Sequence, residues 1–121
     1  CGDIQAWQDQ PEQYWRNLPE AHQASIVNML KQFYQNQPQK QYDEVLRSIG
    51  IAAQTLMLSA QALGYESCPM VGFDADKIAE LIKLPEHHKI GMIVAIGKGM
   101  RPAFPRGGEL PYDKVVFENY F

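Results

Sequence analysis

Residues Asp43–Asp74 read DEVLRSIGIAAQTLMLSAQALGYESCPMVGFD, and this stretch decides the fold. Val45, Ile49, Ala52, Leu56, Ala60 and Leu63 recur at helical spacing, and Leu46, Ala53 and Met57 widen the stripe. A stripe this broad predicts a long helix buried on more than one side, a subunit interface included. Its Ala-rich face, with Ser59, lets a second helix approach closely. Gly50 costs roughly 1 kcal/mol relative to Ala inside a helix, which points to close packing there. Gly64 is placed to end the helix as a left-handed cap. Tyr65 to Gly72 is then short and extended, closing in a turn built from Cys68, Pro69, Met70, Val71 and Gly72. Asp74 caps a further helix with its carboxylate, and Ile78, Leu81 and Ile82 form the buried face of that helix.

Upstream, Cys1 to Trp7 reads as the end of a strand followed by a loop. A Gln-rich polar region runs from Gln8 to Gln41. Pro11 and Pro19 are each suited to the start of a helix, the first reaching about Asn17. The second runs to about Gln35, with Ile26, Leu30, Phe33 and Tyr34 on one face. QNQPQKQ, at 35–41, is a polar break. Downstream, Ile90 to Ile96 is a continuous apolar, β-branched run, expected to be a central strand covered on both faces. Gly97 to Gly108 is a long loop carrying Lys98, Arg101 and Arg106. Tyr112 to Phe121 reads as an edge strand or as an arm docked on an apolar surface.

The chain has 121 residues, a net charge of -3 and an apolar share of 45%. These values suit one globular domain over 1–121. No Lys/Arg stripe marks a nucleic-acid surface. No apolar run approaches the roughly 20 residues of a membrane span. The two cysteines, Cys1 and Cys68, form no disulfide framework or metal pair, which points by default to a reducing, cytoplasmic setting. The chain opens on Cys1 without a methionine, so either a leader has been removed or an N-terminal part lies elsewhere.

Four groups of residues could carry chemistry. In CPMVG, Pro69 lacks an amide hydrogen, while Met70, Val71 and Gly72 offer successive N–H donors, and Gly72 permits close approach of a flat ligand. Aimed at the polar edge of an isoalloxazine, such donors would tune it without side-chain chemistry. An ordinary tight connection explains the same residues, and on pattern alone it is the more frequent case. Lys98, Arg101 and Arg106 could grip a phosphate, or they could simply be a solvated basic loop. His87–His88 has no acidic or Cys partner nearby, so a surface loop is preferred to a metal site. Asp74 and Asp76 sit at a helix start rather than forming an acid/base pair. Cys68 has no histidine spaced to serve it. An enzyme built this way would leave the chemistry to a cofactor.

IAAQTLMLSAQALGYESCPMVGFD, then KIGMIVAIGKG, then PRGGELPYDKVVFENYF follow one another in an order that resembles the nitroreductase family of FMN-dependent oxidoreductases. The resemblance covers Asp43 to Phe121 well and Cys1 to Trp7 more loosely. It implies an α+β nitroreductase-like FMN-binding fold, with a central, mostly antiparallel sheet flanked by helices. It also implies a homodimer with a long dimer-core helix, a C-terminal arm wrapping the partner and FMN sites between subunits.

Carried onto this chain, Pro69, Met70, Val71 and Gly72 would face the flavin, the Val71 amide reaching N5 and the Gly72 amide O4. Arg106 would meet the phosphate, with Arg101 and Lys98 as further candidates. Glu109 falls near the family's second basic position. The family's Arg-Ser-x-Arg start is not in this chain, which looks like the C-terminal half or two-thirds of such a protein. NAD(P)H would be the electron donor, and a nitroaromatic, quinone or similar small molecule the acceptor, in ping-pong alternation. A helical dimerisation module without cofactor, or a family member with another flavin chemistry, are the alternatives.

Overall fold

The computed structural model describes residues 2–120, apart from the side chains of Trp7 and Gln8. Cys1 and Phe121, read above as a thiol and as part of the aromatic tail, lie outside the described residues, as does the Trp7 side chain.

The elements follow in the order β1 (Gly2–Asp3), α1 (Ala6–Asp9), α2 (Glu12–Trp15), α3 (Glu20–Tyr34), α4 (Pro38–Ala62), β2 (Glu66–Met70), α5 (Ala75–Leu81), β3 (His88–Lys89) and β4 (Ile93–Gly97). A single 3-10 turn, Tyr112–Lys114, follows them. The prolines act as expected at helix starts, where a missing N–H costs nothing. Pro11 precedes α2, Pro19 precedes α3, and Pro38 lies in the first turn of α4. Pro38 also corrects one boundary: the polar break is shorter than QNQPQKQ, and α4 starts five residues before Asp43. Its first turn is polar, so the apolar pattern did not reveal it.

α4 is the axis of the molecule. It contacts α3, β1, β2 and β4. Gln41, Val45, Ala53 and Ala60 are its buried positions, spaced along one face. Val27 and Tyr34 of α3 complete this core, and the Gln41 amide donates to the Tyr34 carbonyl at 3.3 Å. Other apolar residues on α4, or just after it, are left uncovered by the described residues. Leu46, Ile51, Leu56, Leu58 and Leu63 are exposed. A Cβ at Gly50 would meet no atom within 4 Å, so the close packing expected at Gly50 is not supplied by the described residues.

Two antiparallel ladders flank α4: β1 with β3, and β2 with β4. In the first, Gly2 pairs with Lys89 and Asp3 with His88, and the Ile4 amide donates to the His87 carbonyl at 2.8 Å. His88 is therefore a strand residue, not part of a loop; His87, at φ +63, makes the turn before it. This ladder sits hard against α4. A Cβ at Gly91 would lie 2.5 Å from Cγ2 of Ile49, and one at Gly2 would lie 2.7 Å from Cγ1 of Val45. In the second ladder Glu66 pairs with Gly97, through to Met70 with Ile93.

Four expectations need correction. Cys68, Pro69 and Met70 belong to β2 and not to a turn; the strand ends at Met70, and the change of direction comes at Val71 to Asp74. The apolar run 90–96 is not a central strand covered on both faces, because β4 begins at Ile93 and pairs only with β2 among the described residues. Its residues Ala95, Ile96 and Gly97 are exposed. Helix α5 has no buried residue, and Leu81 and Ile82 are exposed while Ile78 is half-buried. The tail forms no strand among the described residues, and Val115, Val116, Phe117 and Tyr120 are exposed. In the last three cases the sequence carries an apolar signal that the described residues leave uncovered.

Candidate functional site

The β2 exit is the best-defined candidate. Helix α4 ends at Ala62, and Gly64 takes φ +75, the left-handed conformation expected of it. The reversal directs Tyr65 straight into β2, whose five residues are all paired with β4. Strand pairing stops at Met70, and Asp74 then caps α5 by accepting from the Lys77 amide at 3.1 Å. Hydrogen bonds from the Lys77 amide, and then from its ammonium, hold the Asp74 carboxyl below its ordinary value. Val71, Gly72 and Phe73 thus span two fixed points, a ladder end and a helix cap.

Between these points the backbone is open. Among the described residues, the Val71 and Gly72 amides have no intramolecular acceptor. Val71 is 73% exposed, and nothing lies within 4 Å of a Cβ built on Gly72. Two adjacent free donors beside empty space fit the polar edge of a flat heterocycle, which asks for backbone N–H groups and close approach. Pro69 pairs with Val94 inside the ladder, so it braces the donors and is not one of them. Cys68 is a free, exposed thiol, and it has no partner suited to nucleophilic chemistry among the described residues.

The three loop cations are dispersed. Lys98 donates to the Gly64 carbonyl at 3.1 Å and lies 4.2 Å from the Tyr65 ring centroid. Arg101 lies 6.0 Å from the Phe104 ring centroid. Arg106 pairs with Glu109 at 2.5 Å, both side chains being largely exposed. No hydrogen bond or ion pair among the described residues joins Arg101 or Arg106 to Pro69–Gly72. The acid near the expected second basic position thus occupies the first one's guanidinium. The ion pair is open to water and easily exchanged for another anion.

One cavity was not anticipated. It measures about 290 Å³ and is lined by Gly2, Asp3, Ala6, Tyr14, Val45, Ser48, Ile49 and Ala52. None of the predicted site residues lines it. Its signal in the sequence is faint, a pair of small residues, Ser48 and Ala52, one turn apart on α4. No cluster of three or more His, Cys, Asp or Glu side chains that could hold a metal occurs among the described residues. None of the described helices is long and apolar enough to cross a membrane.

A long helix carrying two antiparallel ladders, with open amides at one strand exit, defines an α+β protein of the nitroreductase-like fold. A protein of Exiguobacterium sibiricum, solved in complex with FMN, superposes with a TM-score of 0.86 at 26% identity, over 97% of this chain and 59% of that one. The model of the nitroreductase family matches residues 3–98, and the chain belongs to that family. Protein DrgA of Synechocystis is 53% identical over 98 residues, 81% of this chain and 47% of that protein. MhqN of Bacillus subtilis, assigned as an NAD(P)H nitroreductase, is 30% identical over 122 aligned residues, 95% of this chain and 59% of that protein. The chain thus spans about half the length of these relatives.

Proposed function

We propose that the protein containing this chain is a homodimeric, FMN-dependent NAD(P)H oxidoreductase acting on nitroaromatics, quinones or similar acceptors. The observation that carries the reading is the pair of open amides at Val71 and Gly72, fixed between the β2–β4 ladder and the Asp74 cap. Family membership and an FMN-bound structural relative support the same cofactor. The name of MhqN supports the same reductant.

Bound FMN would supply the hydride-accepting and hydride-donating ring, alternately for NAD(P)H and for the acceptor. The residues of this chain bind and orient. Val71 and Gly72 donate to the ring's polar edge from the backbone, so no titrating side chain is needed at that point. Met70, 39% exposed, covers the adjoining surface. Pro69 fixes the strand geometry just before the donors. Arg106 is the first candidate for the phosphate, exchanging Glu109 for the ligand, and Arg101 is the second. A cytoplasmic setting is supported by the free, exposed thiol of Cys68. The exposed stripe of α4 supports a homodimer built on that helix.

The test is direct. The complete protein, purified and reconstituted with FMN, should show the absorbance of bound oxidised flavin. That absorbance should bleach on anaerobic addition of NADH or NADPH and return when a quinone or nitroaromatic is added. Failure to bind flavin would overturn the reading.

A further inference from the structure

The cation nearest the donor strand is engaged in a different task from the one its loop position suggested. At the end of α4 the backbone donors are turned inward. The Leu63 amide reaches the Ser59 and Ala60 carbonyls, the Gly64 amide that of Gln61, and the Tyr65 amide that of Ala60. The Gly64 carbonyl instead takes the Lys98 ammonium at 3.1 Å. That ammonium also lies over the Tyr65 ring, 4.2 Å from its centroid. Lys98 directly follows Gly97, the last residue of β4, which pairs with Glu66, the first residue of β2. On the next residue a Cβ at Gly99 would lie 2.7 Å from Cγ of Glu66, so the Glu66 stem rests on bare backbone there. One junction therefore holds the end of a 25-residue helix, the start of β2 and the end of β4.

We propose that Lys98 is a positioning residue, a latch that ties the C-terminus of α4 to the β2–β4 ladder and so sets the register that delivers the Val71 and Gly72 amides. The chemistry suits the task. A cation at a helix C-terminus meets the negative end of the peptide dipoles. An ammonium has three donors and can serve a carbonyl while lying on an aromatic face. The side chain crosses 34 residues of sequence to do so. Within this proposal Lys98 serves the Gly64 carbonyl and not a ligand phosphate. From the latch to Met70 the ladder is continuous, so a shift at Glu66 is transmitted to the strand exit.

The inference rests on the flavin reading for its functional consequence, and the experiment separates the two. In the complete protein, FMN and riboflavin, which differ only in the phosphate, are titrated against wild type, K98M and K98R. The latch predicts that K98M weakens both flavins by the same factor, about threefold, and that K98R recovers most of the loss for both. It also predicts faster amide exchange at Glu66 and Gly97 in K98M. Loss of FMN affinity with riboflavin affinity intact would make Lys98 a phosphate ligand and overturn the proposal. Unchanged affinity for both flavins with unchanged exchange would overturn it as well. A wild type that binds neither flavin sinks the flavin reading alone, and amide exchange at Glu66 and Gly97 then decides the latch.

Discussion

Two residues make the tightest local demands on the sequence. Gly91 faces Ile49 so closely that a methyl group would lie 2.5 Å from Cγ2. Gly91→Ala should therefore lower stability by about 1–3 kcal/mol in urea denaturation. Adding Ile49→Ala should return part of that loss, since the two changes act on one contact; strict additivity would rule the contact out. Asp74 makes a different demand, on charge. Its carboxyl is held below the ordinary 3.8, first by the Lys77 amide and then by the Lys77 ammonium. A depressed carboxyl contributes its stabilisation fully above 3.8 and loses it as pH falls through the lowered value. Protection of the α5 amides should accordingly decline on acidification through and below that pH. Asp74→Ala should remove the dependence, and Asp74→Asn should keep the cap while losing the titration. The capping role was legible in the sequence, because an Asp before a helical run has one dominant use. The Gly91 contact was not, because it depends on a partner 42 positions away in the chain.

At the scale of elements, α4 shows what periodicity can and cannot reveal. Its stripe gave the helix from Asp43 onward and Gly64 gave its stop, but the stripe is wider than the surface that α3 and the ladders cover. Gly50 lies on the uncovered part. Gly50→Ala should raise the stability of the chain by about 0.5–1 kcal/mol, through lower backbone entropy in the unfolded state. Chemical denaturation reads this directly, and a loss would place a neighbouring surface against Gly50. The strands were harder to read than the helix. Cys68–Pro69–Met70 contains a proline, which argues locally for a turn, and only the pairing with Ala95, Val94 and Ile93 makes it a strand. The apolar run 90–96 carried a burial signal, but the surface that would satisfy it is not among the described residues.

Across the whole molecule, the buried core is small for the apolar content. Among the described residues Val27, Tyr34, Val45, Ala53 and Ala60 are the buried hydrophobic ones, whereas Ile51 and Leu58 on α4, Leu63 just after it, and Val115, Val116, Phe117 and Tyr120 of the tail are exposed. Contiguous apolar surface of this kind is what interaction sites commonly present. If α4 forms the proposed dimer core, Ile51→Glu with Leu58→Glu should convert the dimer to monomer in sedimentation and strip bound flavin from the complete protein. A dimer that survives both charges would remove α4 from the interface. The donor pair at Val71 and Gly72 was legible as a motif, since successive amides after a proline are visible in one line of sequence. The fates of Lys98 and Arg106 were not, since each depends on which carbonyl, ring or carboxylate the fold brings beside it.

The placement of Pro69 in β2 has a consequence for how the sheet can grow. A proline offers no hydrogen to a neighbouring chain, and inside sheets it is confined to an outward-facing edge. Paired with Val94 on one side, Pro69 leaves the opposite side of β2 short of a donor at its fourth residue. Any extended segment laid along that side would meet an interrupted row. The free side of β4, with Ile93, Val94, Ala95 and Ile96, carries no such interruption. Among the described residues the ladder thus offers an interrupted row at β2 and an uninterrupted one at β4. A further strand, whether from the same protein or a foreign aggregating one, would find the full row of donors only at β4.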